Sequence, residues 1–143
     1  MKKAFQNSIS SSGKRPITDF SLDQSPRWKF TALIDSGSSR SWIDSRIAEA
    51  LEIDLGDQAQ STIGLGGGKH TYRLARVGLR IERYRWVSEV GFIDNWNYDH
   101  QILGLQGIFD FFDVRIDPNE EFTDLRSRGY PRVETLRSRT AAV

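Results

Sequence analysis

The sequence predicts an all-β chain, folded as a small closed or partly closed barrel with one or two short helices. Short runs alternate apolar and polar residues, turn residues punctuate them, and a single stretch has helical spacing. The 143 residues suit one domain with a sizeable core.

Taken in order, Ile17 to Leu22 alternates at period two, the pattern of a half-buried strand, and Trp28 to Ile34 forms the next. Trp42-Ile43 continues as strand. Asp44 can then cap a short helix over Ser45 to Leu51, which gathers Ile47, Ala48 and Leu51 on one face. Gly56 ends that region. Residues 58–63 and 70–77 flank a run of glycines as a hairpin, and Val77 to Ile81 alternates before a turn at Glu82-Arg83. Tyr84 to Ile93 is one more strand, Asp94 to His100 a polar, aromatic loop, and Pro118 stops the final strand. Residues 1–15, rich in Ser and Lys, read as a flexible arm without fixed structure. The domain is expected over 16–118, followed by a charged, solvated tail over 119–143 whose Arg residues alternate with acids and Ser.

Twenty Lys and Arg against 19 Asp and Glu leave a formal net charge of +1, which argues against a binder of nucleic acid dominated by electrostatics. There is no Cys, so thiolate and disulfide chemistry are excluded. Zinc would have to rely on carboxylates and on His70 and His100, both expected at solvated loop or strand edges. No metal and no cofactor is expected. No apolar region follows Met1-Lys2-Lys3, and no stretch approaches the ~20 apolar residues of a membrane span. A cytoplasmic protein with no membrane partner is the expectation.

The most informative stretch is Asp35-Ser36-Gly37-Ser38-Ser39, launched from Ala32-Leu33-Ile34. It sets a carboxylate at the mouth of a buried strand, where it needs hydrogen-bond donors or a proton. Alone the triplet also suits an ordinary turn. Rival chemistries fail on spacing. A Walker loop needs Gly where Ile63 stands and Ser or Thr where His70 stands, and a serine-hydrolase elbow needs Gly where Ser41 stands.

From roughly Ile17 to Asp117 the chain resembles the retropepsin-like, single-lobe aspartic proteases, with three motifs in the family's order. The stretch from Ala32 to Ser39 is similar to the catalytic loop. Thr62-Ile63-Gly64-Leu65-Gly66-Gly67-Gly68 stands where the family has its flap, and Ile102-Leu103-Gly104 resembles the apolar-apolar-Gly element that leads through a short helix into a closing strand. The acidic pair of retroviral members is replaced by Ser39-Arg40, and the run from Asp35 to Trp42 is closer to a pepsin-type loop. Pepsin-like flaps pair that Trp with a Tyr, whereas Ile63 occupies the matching position.

The resemblance implies an aspartic endopeptidase: a symmetric homodimer in which Asp35 and its copy form the catalytic dyad acting on a peptide or protein. Ser36, Gly37 and Ser38 would support the loop, Ile63 to Gly68 would close over substrate, and Ile102, Leu103 and Gly104 would pack beneath. Trp42 stands near the site. The alternative is a non-catalytic member of the fold that binds peptide or dimerises. Arg40 is expected to influence the ionisation of Asp35.

Overall fold

The computed structural model describes residues 1–8, 13–64 and 68–137, without the side chains of Ile63 and Gly64. Its strands are β1 (Lys2–Ala4), β2 (Gln6–Asn7), β3 (Lys14–Arg15), β4 (Ile17–Leu22), β5 (Ser25–Ile34) and β6 (Trp42–Asp44), followed by helix α1 (Ser45–Ala50). Then come β7 (Gln60–Gly64), β8 (Gly68–Ile81), β9 (Tyr84–Ile93), β10 (Gln101–Leu103), β11 (Phe112–Asp117), β12 (Phe122–Ser127) and β13 (Glu134–Thr135). The all-β expectation holds.

The main sheet runs β13-β9-β6-β10-β5-β4-β8-β7, and β9 also pairs with β8, so the strands from β9 to β8 close into a ring. Closure is partial, because β4 meets β8 only at Ser21↔Arg80 and Leu22↔Leu79. Inside lie Phe20, Leu22, Leu79, Trp86, Phe92, Leu103 and Phe112, all essentially excluded from solvent. Each contributes roughly 1.5–3 kcal/mol through burial, and the Trp86 and Phe112 rings meet edge to face at 4.9 Å. Helix α1 forms as its cap predicts: the Asp44 carboxylate accepts the Arg46 backbone N–H at 3.0 Å.

The arm, expected to lack fixed structure, and the tail, expected to be a solvated extension, are corrected where the structure describes them. β1 pairs with β12 in the register Lys2↔Asp124, Lys3↔Thr123, Ala4↔Phe122, and β12 pairs along all of β11. Backbone hydrogen bonds need no apolar side chains, and Leu125 and Val133 are core residues in spite of their charged neighbours. The short helix implied after Gly104 is also absent; turns join Gly104 to Phe112. Gly107 sits at φ 128°, outside helical geometry. The side chain of Asp110 accepts its N–H at 2.9 Å.

Asp23, at the turn between β4 and β5, clamps the barrel. It receives Arg80 at 2.8 Å and Arg85 at 2.6 Å, and a Cβ at Gly78 would stand 1.9 Å from its Oδ2. Burial pushes the carboxyl up, but hydrogen bonds and charge from Arg85 and Arg80 outweigh it and hold Asp23 below the ordinary carboxylate range. A carboxyl depressed in the folded state stabilises above its unfolded value, and that stability is lost as pH falls through the folded one. Asp23→Asn should therefore cost about 1–3 kcal/mol near neutral pH. It should also flatten the acid limb of stability, read by urea unfolding at neutral and acidic pH.

Candidate functional site

Asp35 follows β5 directly, and its position is fixed by a parallel pairing. β10 lies along the end of β5 in the register Gln101↔Ala32, Ile102↔Leu33, Leu103↔Ile34, and the Asp35 N–H donates to the Leu103 carbonyl at 3.0 Å. Ala32 and Ile34 turn into the core, so Leu33 and the half-buried Asp35 share the opposite face. The Gly37 N–H donates to Asp35 Oδ1 at 2.9 Å. The Ser38 N–H returns to the Asp35 carbonyl at 3.2 Å, and Ser36 and Gly37 form the exposed tip.

The loop rests on the segment after β10. Leu105 N–H donates to the Ser38 carbonyl at 2.8 Å and Gln106 N–H to the Ser39 carbonyl at 3.1 Å, while Ser38 Oγ donates to the Arg40 carbonyl at 2.7 Å. A Cβ on Gly104 would lie 2.4 Å from the Ser38 carbonyl oxygen and 2.5 Å from that of Arg40; no side chain fits there. Ser41, fully buried, accepts the Gly104 N–H at 3.0 Å and donates to the Gln106 carbonyl at 2.8 Å. Sequence reasoning missed Ser41, because nothing local tells a bridging hydroxyl from a surface one.

Trp42 is buried and meets Tyr72 edge to face at 4.8 Å; its ring occupies the room left by Gly91, where a Cβ would be 2.5 Å away. The ring that Trp42 meets thus comes from β8, the other arm of the hairpin from Ile63. Tyr72 stands opposite Gln60 and donates its hydroxyl hydrogen to the Gln60 side-chain oxygen at 3.0 Å. Of the glycine-rich segment, Ile63 and Gly64 end β7 and Gly68 starts β8; Leu65, Gly66 and Gly67 lie outside the described residues.

Three expectations about charge need revision. Arg40 is engaged by Glu89 at 3.2 Å rather than aimed at Asp35. His100 is buried, not solvated: Trp96 and Tyr98 fold its loop inward, and its Nδ1 lies 2.6 Å from the Thr31 hydroxyl. His70 is half-buried, with Nδ1 3.2 Å from the Asp94 carbonyl. Among the described residues no group of three or more His, Cys, Asp or Glu side chains is placed to hold a metal ion, and no helix is long and apolar enough to cross a membrane.

Comparisons with known proteins bear on this geometry. The sequence matches the aspartyl protease family over residues 21–106. Among solved structures, the fold is similar to a retropepsin-like aspartic protease from Rickettsia conorii, at 13% identity and a TM-score of 0.57, covering 90% of this chain and 94% of the other. It is also similar to the retroviral protease-like domain of Ddi1 from Leishmania major, at 16% identity and a TM-score of 0.56, covering 87% and 96% respectively. No curated protein matches the sequence.

Removing the Ser41 hydroxyl tests the support of the loop. Ser41→Ala leaves the buried Gly104 N–H without its acceptor, at a cost of about 1–3 kcal/mol. Thermal unfolding should show the loss, and an unchanged midpoint would mean that the backbone bonds alone hold the loop.

Proposed function

The chain belongs to the aspartyl protease family, and from that premise we propose that it is an endopeptidase whose catalytic pair is Asp35 and Asp35 of the partner subunit. The observation that carries the reading is the setting of Asp35. The carboxylate is fixed by the Gly37 N–H and by the Leu103 carbonyl behind its backbone, yet stands half-buried beside the exposed loop tip of Ser36 and Gly37, where a second copy could meet it.

Two carboxylates brought that close cannot both ionise comfortably, so they share one proton. The ionised member takes a proton from a water held between them, and that water attacks the peptide carbonyl. The protonated member stabilises the developing oxyanion, and a proton is then delivered to the leaving amine. Neither a covalent intermediate nor a metal enters these steps. Ser36 would hydrogen-bond across the pair. Substrate would lie extended, its backbone pairing with the β7–β8 hairpin and its alternate side chains entering hollows on the Asp35 face.

The dimer reading draws support from β11, which among the described residues is hydrogen-bonded to β12 on one side only. Its sequence is self-complementary in one antiparallel register. With Val114 on the two-fold axis, Asp113 faces Arg115 of the partner subunit, and the backbone of Phe112 is set opposite Ile116 of the partner subunit, a residue left 38% exposed in one chain. Moving the axis to Arg115 would set like charges opposite each other.

Two experiments follow. Asp35→Asn keeps the shape but removes the base, so cleavage of a peptide library from acid to neutral pH should fall to background while the fold is retained. Wild-type activity should follow a bell whose limbs belong to the coupled pair, with its maximum on the acid side of neutrality; cleavage by the Asn variant at the wild-type rate would remove Asp35 from the chemistry. Arg115→Asp makes the outer face of β11 wholly acidic and should weaken the dimer at least ~10-fold in sedimentation, since like charges across an interface cost several kcal/mol. An unaltered dimer would place the axis elsewhere.

A further inference from the structure

Beside the loop lies a hollow of about 320 Å³ lined by Leu33, His70, Trp96, Asn97, Tyr98 and Ile102. Its floor belongs to the Asp35 face: Leu33 precedes the carboxylate by two residues, ~7 Å along the strand, and Ile102 is the register partner of Leu33. The walls come from elsewhere in the chain. Trp96 and Tyr98 meet edge to face at 6.2 Å in the loop after β9, and His70 reaches in from β8. The volume is about ten times the ~30 Å³ share of one water in liquid. An aromatic ring fits, and a small aliphatic side chain leaves it partly empty.

His70 brings a polar requirement to this apolar hollow. A backbone carbonyl can only accept, so the contact between His70 Nδ1 and the Asp94 carbonyl places the ring proton on Nδ1. In the neutral ring Nε2 is then an acceptor, able to take a donor from whatever fills the space. No Lys, Arg, Asp or Glu lines the hollow, so a charged side chain would enter without a counter-charge there and lose its hydration. Phenylalanine fills the volume but leaves Nε2 unpaired.

We infer that the hollow takes a tyrosine side chain, its ring packed among Leu33, Ile102, Trp96 and Tyr98 and its phenolic O–H donating to His70 Nε2. This rests on the protease reading for its consequence: the preferred substrates are peptides with tyrosine next to the scissile bond, and His70 is a specificity-determining residue. One ordinary hydrogen bond is worth about 0.5–1.5 kcal/mol, so tyrosine should exceed phenylalanine by roughly 2- to 13-fold.

The test has two arms. In the first, N-acetyl-tyrosinamide and N-acetyl-phenylalaninamide are titrated into the whole protein while the His70 Cε1–H resonance is followed by NMR. The chain has only two histidines, and loss of one signal in His70→Phe identifies it. The inference expects a saturable shift, tighter for the tyrosine compound and lost from the variant. Equal affinity for the two compounds, or no binding of either, overturns it. In the second arm, paired peptides differing only as Tyr or Phe beside the cut are compared by kcat/KM in wild type and His70→Phe. A tyrosine preference that falls to about unity in the variant supports the assignment, and a preference that survives overturns it. Tyrosine binding in a protein that cleaves no peptide would sink the protease reading and keep the pocket assignment. Cleavage with no preference would do the reverse.

Discussion

The hydrogen bond from the Asp35 backbone to the Leu103 carbonyl, with the short parallel pairing of β5 and β10 behind it, is the constraint on which the site depends. Parallel neighbours must come from distant parts of a chain, because a tight hairpin cannot join them. Here residues 32–34 meet 101–103, and everything between them must be folded for Asp35 to have a place. Gly104 follows at once, and its missing side chain lets the loop carbonyls of Ser38 and Arg40 approach to distances no Cβ would permit. Ser41 then closes the gap between the two segments. The loop is therefore held from below by backbone and by one hydroxyl, which leaves the Asp35 face to whatever approaches from outside.

The charges are arranged in keeping with that. Asp44 is answered by Arg46, Arg40 by Glu89, and Asp23 by two arginines at the far turn of β5. Arg40, close to the loop in sequence, is thereby engaged by Glu89 and not by Asp35. What the loop offers Asp35 is the neutral amide N–H of Gly37.

Much of the fold was legible because its signals are local. Period-two alternation placed β4 over Ile17–Leu22 and the end of β8 over Val77–Ile81, and an Asp before a helical stretch placed the cap of α1. The arm and tail were not legible, since their order comes from pairing β1 with β12 across more than a hundred residues, and strand pairing is written in backbone rather than composition. At the site, the carboxylate at the end of an apolar strand could be read from a single segment. Ser41, His70 and Tyr72 could not, because each matters only through a register between strands far apart in sequence. Leu33 is intermediate: alternation alone puts it on the face of Asp35, a step available from the sequence.

Tyr72 shows what such a register adds. The hairpin of β7 and β8 projects beyond the ring, and its base is tied to the side that carries Asp35 through the contact of Tyr72 with Trp42. Trp42 follows the loop by a few residues and pairs with Ile102 of β10 and Gly91 of β9, so one aromatic pair joins the hairpin, the loop and the floor. Ile93, Trp96 and Ile102 complete that second apolar cluster, with Tyr98 packed against it, and Trp96, Tyr98 and Ile102 also wall the hollow beside Asp35. Close-packed groups transmit displacement instead of absorbing it. The same few rings therefore line the hollow and seat the base of the hairpin, and a side chain that enters the one would press on the other.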